Sequence, residues 1–388
     1  MTVKFSQLGE LCDVRIGRTP RRDTPTFWGG DRPWVTISEL DGSEIFGTKE
    51  CITRLAAEST MPPIVPAGTL LFSFKLSIGK MAVAGIPLYT NEAIAALVIK
   101  DSTVLDRGYL RYALLGSSVS SGANHAVLGR VLNKQKVEAL PIPMRALLEQ
   151  RRIVDLLSRA EAILRLRREA QRKAAELIPA LFLDRFGDPA SNPKGWPMSP
   201  LGNLLAACDY GTSRKASIDG AGIPVLRMGN VDYAGDLDLT DLKHVELDPG
   251  ELARQALHPG DLLFNRTNSK ELVGKTGLWD GRWPAVAASY FIRLRVRSDL
   301  VLPEYIWAAM NSKHMKRVLF ATARGAIGQA NINTQELKAF ELMVPPLELQ
   351  RRFVEEIAAV RSIQATQDQG SRTAQATFDA LLHQAFAK

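Results

Sequence analysis

The chain has 388 residues, 46% hydrophobic and 23% charged, with a formal net charge of +8 at pH 7. That length calls for more than one hydrophobic core, and the composition excludes a disordered or fibrous protein. No apolar run approaches the ~20 residues needed to span a bilayer, and "MTVKFSQLGELCDV" at the N-terminus lacks the apolar block of a signal peptide, so a cytoplasmic protein without a membrane partner is expected.

Residues 1–146 mix short β-like runs with turns. "PWVTISEL" (33–40), "TLLFSFK" (69–75) and "AIAALVIK" (93–100) predict strands, and "GYLRYALLGS" (108–117) predicts a helix. Residues 147–178 predict one long helix. Positions 153, 157, 160, 164, 167, 171, 174, 178 and 181 alternate four- and three-residue steps, and all but Arg167 and Gln171 are apolar. A helix of ~32 residues is about 48 Å long. Pro179 should end or kink it. "FGDPASNPKGWP" (186–197) predicts a linker.

Residues 188–346 repeat the mixed pattern, with strands at "DLLFNRT" (261–267) and "YFIRLRVR" (290–297) and a helix at "PEYIWAAMNS" (303–312). Tyr109 and Tyr305 hold the same place in the two predicted short helices. From residue 347 a second long helix follows, with Phe353, Ile357, Val360, Ala374, Phe378 and Leu381 in the same register and Gly370 expected to weaken it. Polar residues interrupt both seams near the middle. A narrow apolar seam wants a partner helix, and the simplest partner is the other long helix of the same chain. The competing reading packs each helix on its own preceding domain.

The chain is an internal repeat. "LLEQRRIV" (147–154) returns as "LELQRRFV" (347–354), an interval of 200 from Gln150 to Gln350, and the match extends over 132–154 and 332–354 and over "ALFLDRF" (180–186) and "ALLHQAF" (380–386). Upstream the likeness is fainter: "PAGTLLFSFK" (66–75) resembles "HPGDLLFNRT" (258–267), and "SIGK" (77–80) resembles "LVGK" (272–275). The backs of the two copies are thus alike and the fronts differ.

No catalytic constellation emerges. "VGKTG" (273–277) lacks the earlier glycine of a phosphate-binding loop and reads as a turn. Cys12, Cys51 and Cys208 form no CxxC pair, and no two of the five histidines stand four residues apart. "ELK" (336–338) loses a nuclease pattern in its mate "KVE" (136–138), so no metal site is expected.

The polar loops of the fronts do suit nucleic acid. Arg grips guanine with two hydrogen bonds, Asn or Gln grips adenine, and Lys and Arg meet phosphates. The candidates are Arg18, Arg21, Arg22, Lys75 and Lys80 in the first copy. In the second they are Arg214, Lys215, Arg227, Asn230, Asn265, Arg266, Asn268, Lys270, Lys275, Arg324 and Gln329. Side chains at matched positions differ: Thr36 against Arg227, Glu39 against Asn230, Ser73 against Asn265. Taken singly, each loop is better read as a solvated polar loop.

With "QRRIV" and "QRRFV", "NPKGWP" and "LLFNRTNSKELVGKTG" in this order, the chain resembles the specificity subunits of type I restriction-modification systems. The first copy departs from "FNRTNS", reading "FSFKLS". The resemblance implies an α+β chain of two pseudo-repeated target-recognition domains (1–146 and 188–346), separated by two long helices (147–187 and 347–388) forming an antiparallel coiled coil. It implies a non-catalytic reader of a bipartite asymmetric site on double-stranded DNA, with the helices as a ruler between half-sites. It further implies that two modification subunits dock, here through Gln150, Arg151, Arg152, Gln350, Arg351 and Arg352, and that restriction subunits join. No cofactor is implied for this chain; S-adenosylmethionine, ATP and magnesium would sit on the partners. The alternative is a protein-interaction scaffold built on the paired helices. A self-sufficient nuclease would need a carboxylate cluster that the sequence does not supply.

Overall fold

The computed structural model describes residues 4–117, 132–218, 220–326 and 329–386. It divides into two compact units: Met1–Arg168 with Gln369–Lys388, and Glu169–Asp368.

In the first unit a five-stranded sheet runs in the order Cys12–Ile16, Ile94–Ile99, Leu70–Ser73, Met81–Ala84, Glu44–Ile45. Its central strands are buried on both faces. Leu70, Phe72, Ala95 and Leu97 enter one apolar cluster, and Leu71, Ala82, Ile94 and Ala96 enter another. Double burial explains why these strands read as unbroken apolar runs rather than alternating ones. A three-stranded sheet of Glu50–Ile52, Trp28–Val35 and Tyr89–Thr90 lies alongside in sequence.

The second unit repeats the plan. Its four-stranded sheet runs Leu205–Tyr210, Phe291–Val296, Leu262–Asn265, Thr276–Leu278. Leu262, Phe264, Ile292 and Leu294 face one cluster, and Leu263, Phe291, Leu226 and Trp279 the other. A short antiparallel pair closes the root of each domain: Lys4–Gln7 with Pro141–Met144, and Met198–Pro200 with Glu341–Met343. The two short helices are Arg107–Gly116 and Pro303–Met310. Tyr109 and Tyr305, both fully buried, donate from their hydroxyls to the carbonyls of Pro143 and Met343, each at 2.7 Å. The matched tyrosines therefore tie each short helix to its domain root. Asn133 and Asn333 also match because each caps a helix, their Oδ1 atoms accepting from the N–H of Lys136 and Glu336 at 2.9 Å.

The first long helix spans Leu147–Ala175 and resumes as Leu177–Phe186. Pro179 supplies no N–H for the Ala175 carbonyl, and the helix breaks at the intervening residue. The second runs unbroken over Leu347–Phe386. Gly370, expected to weaken it, lies within that unbroken span, and there is a packing reason for the glycine. A Cβ there would sit 2.3 Å from the Arg167 guanidinium, so glycine makes room for that side chain.

The helices pair antiparallel within each unit. In the first, Arg145 donates to the Ala385 carbonyl and Arg168 to Gln375. In the second, Gln171 donates to Asp368, Gln364 to the Ala174 carbonyl, and Arg185 forms an ion pair with Glu356. The seam also faces the adjacent domain. Leu157 and Leu164 join Phe378 and Phe386 in one core, and Ile178, Phe182 and Phe186 join Phe353, Ile357 and Val360 in the other. Sharing a seam and packing on a domain, treated as competing outcomes at the sequence level, occur together. Each domain's tyrosine rests on a phenylalanine of the helix that follows the other domain: Tyr109 on Phe386 at 5.2 Å, and Tyr305 on Phe186 at 4.9 Å between ring centroids.

Candidate nucleic-acid interface

The loops that carry the candidate residues are built on matched frames. Strand Trp28–Val35 leads into a 3-10 turn, Ile37–Glu39, whose Glu39 carboxylate accepts from the Thr36 N–H at 2.9 Å. At the equivalent place Asn230 closes Met228–Asn230 by accepting from the Arg227 N–H at 2.8 Å, and its amide donates to the Asp238 and Asp241 carbonyls. Ser73 and Asn265, both fully buried, pin the next loop. Ser73 accepts from the Lys80 N–H, while Asn265 donates to the Thr267 and Tyr290 carbonyls and accepts from the Asn268 amide. The differing side chains at 39/230 and 73/265 therefore brace the loops from within instead of projecting from them.

Lys275 is likewise interior. It is 6% exposed and its Nζ donates to the carbonyls of Met228 and Val231. Burial pushes its pKa below the usual lysine value. It joins the Met228–Asn230 turn to the loop that Gly274 closes. Gly274 has φ +85°, and a Cβ there would strike the Leu319 side chain at 2.7 Å. Asn230, Asn265 and Lys275 are thus withdrawn from the surface a duplex could touch.

Other candidates are exposed or half-buried, and already engaged. Arg22 lies over the Trp28 ring at 3.9 Å and pairs with Glu50. Arg18 donates to the Thr60 carbonyl at 3.1 Å. Arg214 is held by the Glu251 carboxylate, and Arg227 by Asp241 at 2.9 Å. Lys75 lies over Phe74 and Lys270 over Phe320. Arg21, Lys80, Lys215 and Gln329 are exposed. The side chain of Arg324 lies outside the described residues.

The structure brings one group together. Arg266 lies over the Tyr210 ring at 4.8 Å and reaches Asn331 Oδ1 at 3.4 Å. Its Nε is buried without a hydrogen-bond partner. The Tyr210 hydroxyl accepts from Thr334 at 2.7 Å. Strands Thr267–Asn268, Gln329–Asn331 and Arg324–Ala326 form the small sheet beside it. A guanidinium stacked on an exposed tyrosine with spare donor capacity is preorganised for a nucleobase edge or a phosphate. Sequence reasoning missed Tyr210, although it singled out Arg214 and Lys215 nearby, because stacking partners are not sequence neighbours. It also missed Leu76, 87% exposed with φ 59° at the tip of the loop from Lys75 to Lys80. A left-handed, exposed leucine is a conformation sequence does not advertise.

A nearby groove of about 600 Å³ is lined by Tyr233, Leu272, Lys316, Arg317 and Phe320 among others. Burial, reinforced by Lys275, lowers Lys316 to about 8. Among the described residues no group of three or more His, Cys, Asp or Glu side chains is placed to hold a metal ion. None of the described helices is long and apolar enough to cross a membrane.

Of the six positions expected at the partner surface, two are interior. Gln150 and Gln350 are fully buried. Gln150 accepts from the Asp106 N–H and donates to the Val104 and Arg145 carbonyls. Gln350 does the same with the Leu302 N–H and the Leu300 and Pro345 carbonyls. Arg151, Arg152, Arg351 and Arg352 are exposed.

Two α+β domains of one frame, dressed with unlike polar loops and joined to antiparallel long helices, define a duplicated recognition architecture. The chain belongs to the family of the type I restriction modification DNA specificity domain, which matches residues 1–176 and again 193–369. It is 26% identical over 277 residues to the type I restriction enzyme MjaIX specificity subunit of Methanocaldococcus jannaschii, covering 62% of each chain. It is 32% identical over 158 residues to the EcoKI specificity subunit of Escherichia coli K12, covering 40% of this chain and 34% of that one. In both, the match spans less than two thirds of the relative's own length. The fold is shared with a chain solved in work on complex assembly and conformational transition of the type I R-M system, at TM-score 0.61 and 19% identity, covering 99% and 97% of the two chains. The S subunit of a type I restriction-modification system from M. genitalium aligns at TM-score 0.53 and 13% identity, over 100% of this chain and 97% of that one.

Proposed function

We propose that the chain is the DNA-reading subunit of a type I restriction-modification system, directing adenine methylation and restriction to a bipartite asymmetric site. The observation that carries this reading is the family match falling once on each copy while the loops of the two copies differ. One frame used twice with two loop sets reads two unlike half-sites. The chain itself is non-catalytic in this reading. Modification subunits bring S-adenosylmethionine, and restriction subunits bring ATP and magnesium chemistry. The domains divide as 1–146 and 188–346, with helical segments 147–187 and 347–388. The modification subunits dock on the long helices, where Arg151, Arg152, Arg351 and Arg352 are exposed. Leu148, Leu156, Ile163 and Leu166 add apolar surface there, each at least 50% exposed. A cytoplasmic location follows from the partners.

Replacing residues 1–146 with a foreign recognition domain should change one half of the methylated sequence and leave the other intact. Methylation mapping of DNA from cells carrying the exchanged system reads this directly; both halves altered would end the modular reading.

Arg266→Ala should weaken DNA binding of the assembled methyltransferase by about 1–3 kcal/mol and relax the half-site read by the second domain. Titration at fixed salt checks it, and unchanged affinity removes the Arg266–Tyr210 group from the interface.

A further inference from the structure

At one position on each long helix the two copies make the same connection with opposite charge. Residues 161 and 361 occupy equivalent places, 11 residues beyond Gln150 and Gln350. Arg111 and Trp307 are equivalent on the short helices, each two residues after the root tyrosine. In the first unit, Glu161 accepts a two-point hydrogen bond from Arg111, at 2.9 and 2.6 Å, and another from the Tyr112 hydroxyl at 2.9 Å. In the second, the Arg361 guanidinium lies over the Trp307 ring at 4.7 Å. Trp307 Nε1 donates to the Gly235 carbonyl at 2.9 Å. The neighbouring carboxyl, Asp236, also feels the Arg361 charge.

We infer that residues 161 and 361 form a placement code that seats each recognition domain on its own helix. A first-type domain on the second helix would set Arg111 against Arg361 and strip Tyr112 of its acceptor. A second-type domain on the first helix would turn the Trp307 face and Asp236 toward Glu161. A carboxylate is repelled both by the negative face of an aromatic ring and by another carboxylate. Two other helix–domain links are shared: the buried glutamines and the contacts of Tyr109 with Phe386 and Tyr305 with Phe186 would accept either domain. Beside links that either domain can make, an opposed charge discriminates between the two domains. The code acts during folding and does not depend on what the loops bind.

The test is a chain carrying the first domain twice, with residues 5–143 grafted in place of 198–343 at the matched root strands, with and without Arg361→Glu. Arg361→Glu should raise the thermal unfolding midpoint of the duplicated chain by about 2–4 °C. In the native chain Glu161→Arg should lower the midpoint by a similar amount, and adding Arg111→Glu should recover at least half of it. Equal midpoints for the duplicated chain with and without Arg361→Glu, including failure of both to fold, overturn the code. So does absence of recovery in the charge-reversed pair. DNA binding is not read in either arm, so a negative result leaves the proposed function standing.

Discussion

Phe353→Ala should destabilise the protein by about 3–5 kcal/mol, the range for a buried aromatic whose site cannot collapse. Phe353 is fully buried, with Phe186 at 5.1 Å and Phe182 at 5.9 Å between ring centroids, both edge-on. Those two rings in turn hold Tyr305. Removing the Phe353 ring therefore opens a void where the second long helix, the end of the first and the recognition domain meet. Urea unfolding measures the loss, and Phe353→Leu should cost less than half as much. A loss under about 1 kcal/mol would mean the cluster repacks freely and is not the joint described here.

Gln150→Ala should cost about 2–4 kcal/mol. One side chain satisfies the Asp106 N–H and two carbonyls in a site closed to water, and truncation leaves all three unpaired. Arg151→Ala, one residue away and exposed, should move stability by no more than about 0.5 kcal/mol. The comparison separates two roles for the repeated Gln-Arg-Arg. If Gln150 served the partner surface, Gln150→Ala would keep the unfolding midpoint and lose complex assembly. The buried geometry predicts the reverse order of effects.

Much of the architecture was legible because a repeat compares a sequence with itself. The interval from Gln150 to Gln350, the matched Tyr109 and Tyr305, and the capping Asn133 and Asn333 each mark a place where both copies solve one packing problem. Periodicity gave the long helices, but the seam pattern could not say that one stripe serves both a partner helix and a domain. The packing reason for Gly370 was not legible, because helix propensity is local and the Arg167 guanidinium it makes room for is on another helix. The site was less legible. A lysine in "VGK" reads as surface charge, yet Lys275 is interior because two carbonyls from a remote turn are there to receive it. Asn230 and Asn265 read as base-gripping amides, yet their hydrogen-bonding capacity goes to their own loops. Polarity tells what a side chain can bind, and only tertiary structure tells whether its partner is inside the protein.

The exchange of helix ends has a consequence for synthesis. Among the described residues Tyr109 has its aromatic neighbour in Phe386, and Leu157 and Leu164 share a core with Phe378. A ribosome must therefore translate through residue 386 before the earlier-made domain can close. The segment 169–368, contiguous in sequence, has no such wait. The domain made second can thus mature while the domain made first is still incomplete, reversing the usual N-to-C order of assembly during translation.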